Sequence, residues 1–359
     1  MARVADDLSP RGASRCGGAS TAARVAYHRR VERELTGEVD VADGDGRLRR
    51  DAIGWARQPL HRCALPAGTS RAHAFDYWCV IGRTAALTLL VADVGVAGVA
   101  LVSVLDLVSG ATVERVHVRP RGLPSPMPPS ADGEAIVEAR RLHLVVGPRR
   151  LVARARTITG HRLDADVTIE RPPGHETINV LVPWSDTRFH VTSKQQALPA
   201  RGRVTVDGRE HRFDPATDFA CRDFGRGRWP EGIDWRWAFG AGRVGARTIG
   251  FNLGAGWTDG TGVSENGLVI DGRVHKLAEP IDVDFDRRAR TRPWRLRTRG
   301  SARVDLTFTP RHVRVVGVPP LWRLHQCVGT FAGTIVDDAG TTIALAGIDG
   351  LAESVRGRW

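Results

Sequence analysis

Lysine is nearly missing from this chain: of 52 basic residues in 359, only Lys194 and Lys276 are lysines. The remainder are arginine, a bias that a GC-rich genome produces through codon choice, and they are scattered rather than grouped in blocks. The net charge of +12 is therefore dispersed. No helical reading head or RNA-binding signature accompanies it, so nucleic acid is not expected as a partner. Cysteine is also scarce. The five cysteines at 16, 63, 79, 221 and 327 form no Cys-x-x-Cys pair, which excludes an obvious zinc site or disulfide framework. His190, His211 and His275 lack tight ligand spacing, so neither a metal nor a cofactor is expected. The opening MARVADDLSP has acids where a secretory signal needs an apolar stretch. The most apolar window, Ala85 to Leu105, contains Asp93, Gly95 and Gly98. An aspartate at the bilayer centre costs about 2.5–3.5 kcal/mol, so this window reads as two buried strands joined near Asp93–Gly95. The expectation is a soluble cytoplasmic protein with no integral membrane segment, its oligomeric state open.

Helical periodicity is absent beyond about residue 50, and alternation takes its place. Leu163 to Glu170 alternates apolar and polar, and so do the stretches around Ile249–Leu253, Ile281–Phe285 and Val304–Phe308. This pattern predicts half-buried strands and an all-β protein. Asp207-Gly208 and Asp271-Gly272 sit between alternating runs and predict tight hairpins. VTVDGREHRF (204–213) and LVIDGRVHKL (268–277) resemble one another, either because such hairpins look alike or because a β unit has been duplicated. The Pro-rich LPSPMPPSADG (123–133) reads as a loop. The expected organisation is a loose leader over 1–35, an N-terminal β lobe over 36–205 and a C-terminal β lobe over 206–359.

Chemistry concentrates between Asp223 and Gly267, which hold twelve glycines and four tryptophans with several charged groups. Tryptophan offers a large rigid surface with one N–H that needs a partner. Gly240-Ala-Gly242-Arg-Val-Gly245 matches G-x-G-x-x-G, but ARTIGFNLGAG after it alternates like a strand. A dinucleotide site needs a helix there, so a hairpin is expected instead. DFGRGRWP offers Asp223 and Arg226, either as an ion pair tying down a loop or barrel entrance, or with Asp223 exchanging a proton in an apolar cleft. WTDGTGVSENG adds Asp259, Glu265 and Asn266 in a glycine-rich loop. Upstream, Trp184 and Lys194 lie in a stretch with no G-x-S-x-G elbow, which argues against a serine nucleophile. A lysine kept where arginine is the rule reflects either a need for a compact or titratable amine or chance.

AIGWARQPLHRC (52–63), FDYWCV (75–80), the run 173–202, DFGRGRWP, NLGAGWTDGTGVSENG, RVDLTFTP (303–310) and the closing Glu353 and Trp359 resemble the bacterial domain-of-unknown-function family 2804. The resemblance runs from about residue 45 to the C-terminus, with Phe224 standing where the family usually has tryptophan. Through it the chain is distantly similar to the two-barrel, lipocalin-like group that includes carotenoid 1,2-hydratases. That implies two tandem antiparallel β-barrels or sandwiches handling an apolar ligand. The combined expectation is a cleft between the lobes that takes an apolar or amphipathic small molecule such as a lipid or isoprenoid. Asp223, Glu265 and Asp259 are the candidate catalytic residues. Arg226, Trp229, Trp237, Trp257, Asn266, Lys194 and Trp184 are the candidate ligand-binding residues. A hydratase, isomerase or cyclase would use such a set, and a non-catalytic carbohydrate- or lipid-binding β protein is the competing class.

Overall fold

The computed structural model describes residues 32–66, 72–123, 127–318 and 322–358. Residues 1–31 of the expected leader, 124–126 of the Pro-rich loop and Trp359 lie outside them. Residues 32–35 are packed: Leu35 is buried, and its backbone and that of Arg33 bond to Trp55.

The alternating runs form antiparallel strands nearly everywhere, and among the described residues the only helical element is a 3-10 turn at Arg50–Ala52. A 13-stranded sheet runs from Thr112–Pro120 through Ala97–Asp106, Ala85–Asp93, Ala72–Ile81, Phe219–Arg228, Phe189–Val206, Arg162–Ile169, Arg150–Arg156 and Leu142–Val146 to Ala135–Ala139. Ile178–Pro183 and Arg209–Phe213 add to Phe189–Val206. A nine-stranded sheet runs from Arg273–Lys276 to Ile281–Asp284, with Gly232–Val244 and Thr342–Arg358 side by side within it. Both sheets curl, each around its own apolar core. Leu163, Ala165, Val167 and Ile169 are buried while Asp166 and Thr168 face out, as alternation requires. The apolar window is the antiparallel pair Ala85–Asp93 and Ala97–Asp106. No helix among the described residues is long and apolar enough to cross a membrane.

Both Asp-Gly pairs make turns with two positive φ angles, 49° and 86° at Asp207-Gly208 and 51° and 77° at Asp271-Gly272. Such turns match the twist of the strands they join. In each turn the aspartate accepts from a neighbouring backbone N–H, of Arg162 or of Thr248, at 2.8 Å. The G-x-G-x-x-G run forms strand and turn: Val244 pairs with Arg247 across Gly245, in a hairpin. The first sheet takes in Phe219–Arg228 and the second starts at Gly232. The hairpin across the expected 205/206 junction thus pairs within the first sheet.

Phe189–Val206 joins the two halves of the first sheet and bends at a bulge between Gln195 and Leu198, where Ala197 has φ 54°. The second sheet seats on this bend: a Cβ on Gly250 would lie 2.8 Å from the Ala197 Cβ. The outward faces of the two sheets meet in a further apolar cluster that includes Cys79, Cys221, Trp237, Phe239 and Leu351.

Candidate functional site

The face of the first sheet turned toward the second carries an ionic centre. Lys194 and Asp223 are register partners on adjacent strands, and Tyr77 partners Asp223 on the next. Lys194 Nζ lies 2.7 Å from Asp223 Oδ2 and 3.3 Å from Glu265 Oε2, the latter arriving on a loop of the second sheet. Thr192 Oγ1 donates to Asp223 Oδ1 at 3.5 Å. The ammonium stands 4.8 Å from the ring centre of Trp237, a cation–π contact. Lys194, Asp223 and Glu265 are 5%, 8% and 6% exposed, so the group is closed over. Glu265 Oε1 is buried with no hydrogen-bond partner.

A fourth member, Glu353, is the register partner of Trp237. It accepts from Trp235 Nε1 at 3.0 Å and from Gln326 Nε2 at 3.1 Å. The chain's other lysine is close by: Lys276, half-buried, pairs with Glu32 at 2.9 Å. Burial works against the charge of Lys194, but Asp223 and Glu265 outweigh it and raise its pKa. Burial raises the carboxyls of Asp223 and Glu265, with Lys194 opposing. It also raises Glu353, against the two hydrogen bonds from Trp235 and Gln326. Lys194 thus pairs with two buried carboxyls, Asp223 and Glu265, and a third, Glu353, is held nearby by Trp235 and Gln326. Isolated buried charge is so costly that the group neutralises instead. Of the three, Glu265 is the least satisfied, since both oxygens of Asp223 and of Glu353 accept hydrogen bonds and its own Oε1 accepts none.

An aromatic wall leads from this centre to the surface. Trp229 stacks on His73 at 4.4 Å and donates to His190 Nδ1 at 3.0 Å. That bond leaves His190 Nδ1 as the acceptor, and burial keeps the ring neutral by pushing its pKa well down. Trp257 meets Trp184, Trp229 and Trp235 edge-on at 4.8, 5.3 and 5.5 Å. Trp184 donates to the Trp257 carbonyl at 3.2 Å. Trp184, Trp235 and Trp257 are half-buried, and Trp229 and Trp237 are buried.

The remaining expected residues lie apart from the centre. Asp223 and Arg226 do not pair. Three residues apart on the strand Phe219–Arg228, they point to opposite faces. Arg226 instead donates to the carbonyls of Met127 and Pro128 at 2.8 and 3.2 Å. The ion pair of this strand on that face is Arg222 with Asp76, bidentate at 2.8 and 2.6 Å and fully buried, with Phe224 packed against the guanidinium. Asp259 is exposed on its loop. Asn266 uses its amide to fix backbone, accepting from Gly254 N at 2.6 Å and donating to the Glu279 carbonyl at 3.2 Å. Sequence reasoning missed Glu353, Trp235 and Thr192 as parts of the centre. An acid inside the apolar strand segment LAESV (351–355) was the available signal for the first.

The fold has solved counterparts. A protein described as AttH from Nitrosomonas europaea aligns with TM-score 0.51 and 12% identity over 80% of this chain and 93% of that one. Kievitone hydratase from Nectria haematococca aligns with TM-score 0.50 and 13% identity over 82% and 91%. These likenesses are of fold. No curated protein matches the sequence itself. Residues 32–359 match the family model described as a domain of unknown function, DUF2804, and the chain belongs to that family.

Proposed function

We propose that this chain binds an apolar or amphipathic small molecule at the junction of its two sheets, in the cytoplasm, and hands it a proton from Glu265. The observation that carries the reading is the orphan oxygen of Glu265, buried beside the Lys194–Asp223 pair at the end of a tryptophan wall. A protonated carboxyl in such a place is a proton donor without a recipient. An alkene or carbonyl carbon skeleton lying along Trp235 and Trp257 supplies one. Asp223, paired with Lys194, is the complementary base: it takes a proton from water or from an adjacent carbon while Glu265 gives one. Hydration, isomerisation and cyclisation can each use such a pair. The free, buried state of the four described cysteines suits a reducing compartment.

The centre is covered, so entry requires the loop 256–266, which carries both Trp257 and Glu265, to swing aside. Sugar binding is less well supported. It needs an indole face laid open to solvent, whereas Trp257 meets Trp184 and Trp229 at 88° and 86°. Native mass spectrometry of protein purified from its own host tests the proposal. The expected result is a co-purifying apolar molecule, retained by Glu265→Gln and lost in Trp257→Ala. An empty wild-type protein that is retained on glycans overturns it.

A further inference from the structure

The strands that present Trp235, Trp237 and Glu353 to the lysine have an opposite face. On it, Arg236, Arg323, His325 and Arg356 continue the inward rows of Ala238, Cys327 and Ala352, which belong to the apolar core of the second sheet. Past that core the rows open into a cavity of about 290 Å³ at the end of the curled sheet, where Arg287 and Arg290 also line it.

Five of the residues around this cavity are arginines and one, Asp234, is an acid. Some surface arginines elsewhere have carboxylate partners, as in Arg150 with Asp166, Arg295 with Asp305 and Arg299 with Asp282. Here Asp234 stands 3.7 Å from Arg356, while Arg236, Arg287, Arg290 and Arg323 meet no carboxylate among the described residues. Arg290 Nη1 is buried without a partner. His325 is 8% exposed, and neither of its ring nitrogens has a hydrogen bond. Burial, with Arg290 and Arg323 beside it, pushes His325 down to about 4, so the ring is neutral and offers one donor and one acceptor. Unmatched buried donors are costly to keep, and four like charges around one cavity repel one another. A bound anion removes both costs.

We propose that this mouth binds a phosphorylated small molecule, gripped by Arg236, Arg290 and Arg323 with His325 donating a further hydrogen bond. Guanidinium forks match phosphate oxygens two at a time. Charge decides between phosphate and carboxylate. After Asp234 is counted, five guanidiniums leave a surplus of four, which one carboxylate barely offsets and a diphosphate largely does. The small volume, about 290 Å³, suits a small molecule rather than a nucleic-acid strand. The site lies back to back with the Lys194 centre and is independent of the function proposed for it.

Calorimetric titration of the full chain with inorganic pyrophosphate is the test, with decanoate as the carboxylate comparison. The expected result is saturable binding of pyrophosphate, weakened about tenfold or more in Arg323→Gln and in Arg290→Gln, and unchanged in Arg295→Gln. Arg323 is exposed, so its variant reports on binding even if Arg290→Gln unfolds. No saturable binding, equal binding by a folded Arg323→Gln protein, or decanoate binding as tightly as pyrophosphate would each overturn the proposal.

Discussion

Lys194 is one of only two lysines in a chain that otherwise uses arginine, and its surroundings give the reason. A compact ammonium fits between Asp223 and Glu265 with the Trp237 ring against it. A planar guanidinium, with five donors to satisfy, does not. Removing one partner of a buried ion pair costs about 3–5 kcal/mol. Lys194→Met is therefore expected to lose stability on that order in urea unfolding, and Lys194→Arg to recover only part of it. Glu265 sets a pH dependence whose sign follows from burial. Its pKa is raised above the ordinary 4.5, so above that pH the native state binds more of this proton than the unfolded chain does. The stability it contributes falls as pH rises through the raised value. Gln at 265 has no proton to lose. Comparing urea midpoints at about pH 5 and about pH 8, Glu265→Gln should gain on wild type at the higher pH. At this scale Lys194 was legible because it was rare, and Asp223 and Glu265 because they sit among tryptophans. Arg226 misled because DFGRGRWP reads as a loop or entrance, whereas the structure makes it strand as far as Arg228, where residues three apart face opposite sides.

Strands were legible wherever one face is buried and the other wet, and both Asp-Gly hairpins announced themselves by turn chemistry. Which strands become neighbours was not. Phe189–Val206 pairs with Phe219–Arg228, and Lys194 meets Asp223 only through that register, which alternation alone does not encode. Close approach between elements has a testable signature at two glycines. A Cβ on Gly225 would stand 2.3 Å from His190 Nε2 and 2.4 Å from the Phe75 ring. One on Gly250 would press into the bulge at Ala197, where the two sheets meet. Overpacking of this kind costs about 1–3 kcal/mol. Gly225→Ala should lower the denaturant midpoint and change tryptophan fluorescence, because it displaces the ring that bonds to Trp229. Gly250→Ala should lower the midpoint by a similar amount with less spectral change, its contacts being aliphatic.

For the whole molecule, two curled sheets set their outward faces together and bury at that junction charges that neither could bury alone. Glu265 reaches Lys194 only because the second sheet seats on the bend of the first. The two-lobed β character was legible in period-two patterning and in the resemblance to a domain-of-unknown-function family. The junction was not, because it depends on how far each sheet curls. The central claim is that this junction holds a protonated carboxyl at neutral pH, poised against an aromatic wall. Infrared spectroscopy of the protonated-carboxyl C=O stretch tests it most directly, comparing wild type with Glu265→Gln at about pH 7. The expected spectrum has a protonated-carboxyl band in wild type that the substitution removes. A wild-type spectrum with every carboxyl ionised would contradict the claim.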